Sequence, residues 1–208
     1  MATMTQTHVT LVVDQTASMA PYASQVVDGL NYYTKALCAQ TPGPVFASLL
    51  TFNTEVTPHY THRPIHKVDK IRLETYRPEG NTALYDAIAA TLASLPMGDD
   101  PGAAQKQLVI VLSDGEDVCS HTTLTDCADH VALSQARGVR IVFLGDGPEA
   151  LALADLLGIP AGCRYLFMAR EGLKQVFEQL ATQTVQAIGA VVSQGLLPER
   201  FFAEERQP

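Results

Sequence analysis

Apolar positions fall into short unbroken runs and longer periodic stripes that alternate along the chain. Val9, Leu11, Val12 and Val13 make a run with no solvent face, as a central strand of a parallel sheet requires. The run ends abruptly at Asp14, and Thr16 and Ser18 follow at alternate positions. From Pro21 to Gln40 the period changes: Val26, Val27, Leu30, Tyr33 and Leu37 recur at helical spacing. TPGP at 41–44 stops that helix, and Val45 to Phe52 is the next apolar strand. Asn53 and Thr54 read as a hairpin turn that returns Glu55 to Tyr60 as an antiparallel edge strand.

Thr61 to Gly80 has no clear period. Gly80 and Asn81 then turn into a helix that starts at Thr82 and carries the stripe Leu84, Ile88, Leu92 and Leu95. Residues 96–102 (PMGDDPG) form a loop, and Gln107 to Leu112 repeats the opening device, an apolar strand running into an acid, here Asp114. Thr123 to Arg137 is a helix ended by Gly138, Val139 to Leu144 a strand, Pro148 to Leu157 a helix and Arg164 to Met168 a strand. Gly172 to Gln194 is a final helix with Leu173, Phe177, Leu180, Ile188 and Val191 on one side. Strands alternate with helices throughout. The pattern predicts a doubly wound α/β domain, with a mostly parallel central sheet, one antiparallel edge strand and helices on both faces.

A chain of 208 residues is about one domain long, read here as a leader at 1–7, a domain at 8–195 and a tail at 196–208. With 22 acidic against 14 basic residues, the formal charge of −8 argues against a general nucleic-acid surface and favours cations or basic partners. MATMTQT lacks the basic region of a secretory signal. The uncharged stretch from Gln179 to Pro198 carries too many Gln, Thr and Ser residues to face lipid, so a cytoplasmic protein without a membrane span is expected. Cys119, His121, Cys127 and His130 lie close in sequence but match no metal-ligand spacing, and a Cys119–Cys127 disulfide would need an oxidising compartment. His59, His62 and His66 read as solvated side chains. Leu196, Leu197, Phe201 and Phe202 extend the final helix beyond what one sheet face needs to cover. They read either as a loose tail or as an apolar patch for self-association or partner docking.

In a doubly wound sheet, ligands bind at the carboxyl edge where the strand order reverses. Side by side there, the strands ending at Asp14 and Asp114 bring two carboxylates together, which repel unless one protonates or a cation intervenes. Asp14, Thr16, Ser18, Thr82 and Asp114 offer oxygens only, the donor set of a hard ion such as Mg²⁺, with Mn²⁺ or Ca²⁺ as substitutes. The hydroxyls bind without adding charge, so the ion stays net positive and can accept an acidic group from outside.

D-x-T-x-S at 14–18, G-N-T-A-L-Y-D-A-I at 80–88 and S-D-G-E-D at 113–117 resemble the three parts of the metal-ion-dependent adhesion site (MIDAS) of von Willebrand factor A (VWA) domains, a Rossmann-like fold. The resemblance implies that Thr16 and Ser18 are direct ligands, that Asp14 binds directly or through water, that Thr82 makes a contact that changes with ligand state, and that Asp114 bonds to metal-bound water. It also implies a binding module, not an enzyme, in which a Glu or Asp of a partner protein completes the metal, often within a larger assembly. Thr16 departs from the commoner serine but keeps the hydroxyl. Glu116 and Asp117 read as outer-shell or solvated acids, and Asp86 as facing the helix surface. Two alternatives stand beside this reading. One is a metal-independent VWA scaffold docking through its C-terminal helix. The other is a Mg²⁺-dependent phosphotransfer enzyme of the haloacid dehalogenase type, which would need a second Asp where Thr16 stands.

Overall fold

The computed structural model describes residues 5–96, 105–114, 116–167 and 172–202. The leader's first four residues, most of the 96–102 loop, Met168 and residues 203–208 lie outside them. The strands are β1 (Gln6–Asp14), β2 (Val45–Phe52), β3 (Val56–Pro64), β4 (Gln105–Ser113), β5 (Arg140–Asp146) and β6 (Arg164–Phe167). They form one sheet in the order β3-β2-β1-β4-β5-β6, parallel except for β3 against β2. The helices are α1 (Ala23–Gln40), α2 (Leu84–Ser94), α3 (Leu124–Ala136), α4 (Gly147–Leu156) and α5 (Leu173–Gln194).

From β1 the chain steps one way across the sheet to β2, and from β4 it steps the other way to β5. Right-handed crossovers then place α1 and α3 on opposite faces. The packing agrees, with α1 against α5 and α2 against α3. The order reverses between β1 and β4, so Asp14 and Asp114 lie at the switch point. Both central strands are buried nearly end to end, which is why they carry no polar–apolar alternation. On the α1–α5 face, a Cβ on Gly29 would lie 1.9 Å from the Phe177 ring, so glycine there sets how closely the two helices approach.

The expected elements are present, with differences at their ends. The stretch from Ala17 to Tyr22 is a 3-10 turn containing Pro21, and α1 proper begins at Ala23. β3 continues past Tyr60 to Pro64, made possible by a register shift opposite Ser48. The segment after Gly195 is folded onto the domain through Phe202. Leu197, Phe201 and Phe202 are buried, the backbone N–H groups of Phe201 and Phe202 donate to Gly162 O, and Leu196 alone among these apolar residues is exposed. Among the described residues no helix is long and apolar enough to cross a membrane.

Candidate metal centre

Asp14 ends β1 fully buried, and its carboxylate is held on both oxygens. The backbone N–H of Thr16 donates to Oδ1 at 2.9 Å, and the Ser113 hydroxyl at the end of β4 donates to Oδ2 at 2.7 Å. The Tyr76 hydroxyl donates to the Asp14 carbonyl. Thr16 Oγ1 lies 2.9 Å from Ser18 Oγ, so the two hydroxyls of the first loop converge beside the acid. Thr82 is buried, and its side chain, with those of Ser18 and Asp114, faces a shared cavity of about 410 Å³. The structure therefore brings all five sequence-predicted oxygen donors to one edge of the sheet.

Backbone bonds hold the loops in place. Gln15 donates to Phe52 O at 2.7 Å and Glu79 to Gln15 O at 3.0 Å, tying the first loop to β2 and to the segment before Gly80. Val118 and Cys119 both donate to Thr82 O, at 2.8 and 3.1 Å, tying the third loop to the second. Gly80 adopts φ +77° where these loops meet, and an added Cβ would press on Thr54 Oγ1 at 3.0 Å.

Burial pushes the Asp14 carboxyl up to about 6; hydrogen bonds from Thr16 and Ser113 pull it down, and the Asp114 charge pushes it up again. A group that remains partly ionised despite burial, beside a second carboxylate, is short of positive charge. The donor chemistry fits a hard divalent cation: carboxylates and hydroxyls, with no sulfur or imidazole. Among the described residues no three His, Cys, Asp or Glu side chains converge. Such a cluster is not what a hydroxyl-rich oxygen site needs, but it is what the Cys119/His121/Cys127/His130 and His59/His62/His66 sets would have required. Cys119 and Cys127 are free thiols, and the His59 ring is bonded to Thr51 Oγ1.

The structure adds detail at neighbouring residues. The helix expected to start at Thr82 begins at Leu84. Of the two readings of Asp117, outer-shell or solvated, its bonds favour a held acid: its Oδ1 accepts from the Tyr85 N–H at 3.2 Å and from the Ser120 hydroxyl at 2.6 Å. Asp86 does not simply face outward, since its carboxylate accepts from the N–H groups of His121 and Thr122 at 2.9 and 2.8 Å. These two acids clamp the third loop to the start of α2. Glu149, in the first turn of α4, lines the same cavity as Ser18, Thr82 and Asp114 and was not foreseen. Ser113 was legible only as part of its motif, and Tyr76 carried no local signal at all.

No protein-family model matches the sequence, and no curated protein does. Solved structures do match. A crystal structure of proximal thread matrix protein 1 from the mussel byssus superposes with a TM-score of 0.64 at 16% identity, covering 88% of this chain and 46% of that one. The pilus adhesin SpaC of Lactobacillus rhamnosus GG, in its open conformation, gives 0.71 at 11% identity over 88% and 30%. The vWF domain of a type V pili tip protein from Porphyromonas gingivalis gives 0.64 at 12%, covering 94% and 99%. The chain thus spans less than half of the first two and nearly all of the third. The fold is that of a von Willebrand factor A domain. A further structure of the mussel protein has a zinc-occupied MIDAS motif.

Proposed function

We propose that this chain is a protein-interaction module that holds Mg²⁺ through Asp14, Thr16, Ser18, Thr82 and Asp114 and binds a Glu or Asp side chain of a partner protein. The observation that carries the reading is the wholly buried Asp14 carboxylate, flanked by converging hydroxyls and by a second acid whose charge raises its pKa. A bound cation supplies a Lewis-acidic position that neutralises both acids and accepts an outside carboxylate. The protein's own residues do the rest. Ser113 and the Thr16 N–H orient Asp14, the hydroxyls add donor oxygens without charge, and the bonds to Thr82 O fix the second loop against the third. The fold is shared with a pilus adhesin and a byssal matrix protein, which supports a binding role over a catalytic one. We also propose a cytoplasmic location, as the sequence leads us to expect.

The test is calorimetry with Mg²⁺, Mn²⁺, Ca²⁺ and Zn²⁺, followed by capture of partners in Mg²⁺, in EDTA and with Asp14→Ala. A partner held in Mg²⁺ and released in the other two conditions supports the reading. A partner held equally in all three removes the metal from recognition and returns the metal-independent scaffold.

A further inference from the structure

The face of the sheet that carries Asp14 is polar again at its other end, where a covered sheet is ordinarily apolar. His8 and Thr10 on β1 and Ser48 on β2 are 3%, 2% and 5% exposed. With His62, Leu50 and Leu95 they line a cavity of about 300 Å³. Its wall is built by an irregularity in the edge ladder. Ala47 pairs with Arg63 and Leu49 with Tyr60, so Thr61 and His62 both oppose Ser48. The His62 N–H donates to Ser48 Oγ at 2.9 Å in place of a backbone acceptor. Among the described residues His62 alone, other than glycines, has positive φ, at 44°. Its ring stacks on Phe46 at 4.4 Å and meets the His8 ring edge-on at 4.9 Å. Bulges and positive-φ side chains of this kind gather where a fold re-aims groups for use.

His8 Nε2 lies 2.9 Å from Ser48 Oγ, but His8 Nδ1 and Thr10 Oγ1 are buried with no hydrogen-bond partner among the described residues. Two orphaned polar atoms on side chains that line one cavity call for a ligand that bonds to both. No charged side chain is among the described residues lining it. An anion can arrive there with a proton that an imidazole accepts. Leu50 and Leu95 make the other wall apolar.

We infer that this cavity is a binding site for a short-chain monocarboxylate, its carboxylate accepting from His8 Nδ1–H and the Thr10 hydroxyl and its aliphatic end lying against Leu50 and Leu95. Binding takes up one proton, on His8. Burial, with His62 adding to it, holds the free His8 down at about 4. His62 on β3 is the titratable group facing it among the described residues, while Gln107 on β4, Ser94 at the end of α2 and Leu95 after it are uncharged. The site is separate from the proposed metal centre and does not depend on it.

The experiment is an NMR titration of the imidazole resonances of the full chain with butyrate and, in parallel, with butyramide, at pH 6 and pH 8 in carboxylate-free buffer. The expected result is saturable butyrate binding that moves the His8 signals, is about a hundredfold tighter at pH 6 than at pH 8, and weakens about tenfold in Thr10→Val. His8→Phe should abolish it. Thr10→Val is nearly isosteric and carries the test if His8→Phe does not fold. Butyramide binding as tightly as butyrate would overturn the inference, as would an absent shift, affinity unchanged in Thr10→Val, or a butyrate-soaked crystal holding only ordered water in the cavity.

Discussion

Asp14 and His8 stand six residues apart on one strand, on the same face of the sheet, both buried, and burial moves their pKa values in opposite directions. The acid is pushed up to about 6 and the imidazole down to about 4, because a low-dielectric surrounding disfavours whichever form is charged. The neighbours then differ. Asp14 faces a second carboxylate and a set of hydroxyls open to a cavity, so a cation relieves it. His8 faces a second imidazole in a cavity whose described lining residues carry no carboxylate, so the proton is simply excluded. The same backbone position on a strand thus serves opposite chemistry according to which loops and strands arrive beside it.

The comparison is tested most severely by acid. The folded pKa of His8, about 4, lies below the unfolded value of 6.5. Between those values the unfolded chain binds a proton that the folded chain refuses, so stability falls as pH drops, by on the order of 3 kcal/mol in all. Below about pH 4 this group contributes no further loss. His59, also lowered by burial, adds in the same direction. Asp86 acts later: burial alone would raise it, but hydrogen bonds from Thr122 and His121 hold it at about 2, so its share is lost only as pH falls below 3.8. Urea unfolding of Asp14→Asn, in which no acid titrates at that position, should show the loss between pH 6.5 and 4. Adding His8→Phe should remove most of the slope and leave the smaller part due to His59. An unchanged slope would mean that His8 is hydrated in the folded state.

The second effect in size belongs to the acid end. Mg²⁺ at a hundred times its dissociation constant should stabilise the folded chain by about 2.7 kcal/mol. Asp14→Ala should lose that increment entirely while Thr10→Val, at the other end of the face, keeps it. Thermal melts with and without EDTA read both. Equal Mg²⁺ stabilisation of wild type and Asp14→Ala would place the cation elsewhere.

The two ends were unequally legible in the sequence. Asp14, Thr16, Ser18, Thr82 and Asp114 could be gathered because each lies at the end of an apolar run or the start of a helical stripe, and the crossover rule brings such ends together. His8 and His62 could not. One stands just before an apolar run read as the strand, and the other sits in a stretch read as irregular. Their meeting depends on a bulge opposite Ser48, which no local pattern announces. The succession of strands and helices along the chain was equally plain, since periodicity reports burial. The fate of Leu197, Phe201 and Phe202 was not, because it turns on the Gly162 carbonyl and the ring of Tyr165, both more than thirty residues away. The partners of Asp117 and Asp86 were not legible for a related reason. Exposed-looking acids near a helix start are commonly solvated, and only the loop's return shows what they bind.

Ser113→Ala comes next in size. It strips a buried carboxylate oxygen of its hydroxyl donor without changing the fold around it, and should cost about 1–2 kcal/mol in EDTA. Mg²⁺ should recover part of that loss, because the cation offsets the charge that the hydroxyl no longer satisfies. A variant as stable as wild type in EDTA would show that Asp14 is protonated there and needs no donor.

The smallest effect concerns how the loops are held. Asp117→Ala removes the acceptor for the Tyr85 N–H at the first turn of α2 and for the Ser120 hydroxyl, a loss of the kind that costs about 1 kcal/mol at a helix cap. The consequence should be local. Hydrogen exchange ought to quicken at Tyr85 and at Val118 and Cys119, whose N–H groups bond to Thr82 O, while exchange at His8 and Thr10 stays unchanged. Metal affinity should then fall only severalfold, since Asp14, Thr16 and Ser18 lie outside the loosened loops and Asp14 keeps its bonds from Thr16 and Ser113. A loss of metal binding as complete as in Asp14→Ala would mean that the acid end is assembled by its loops and not by the strand, and the contrast with His8, which the strands themselves position, would be sharper for it.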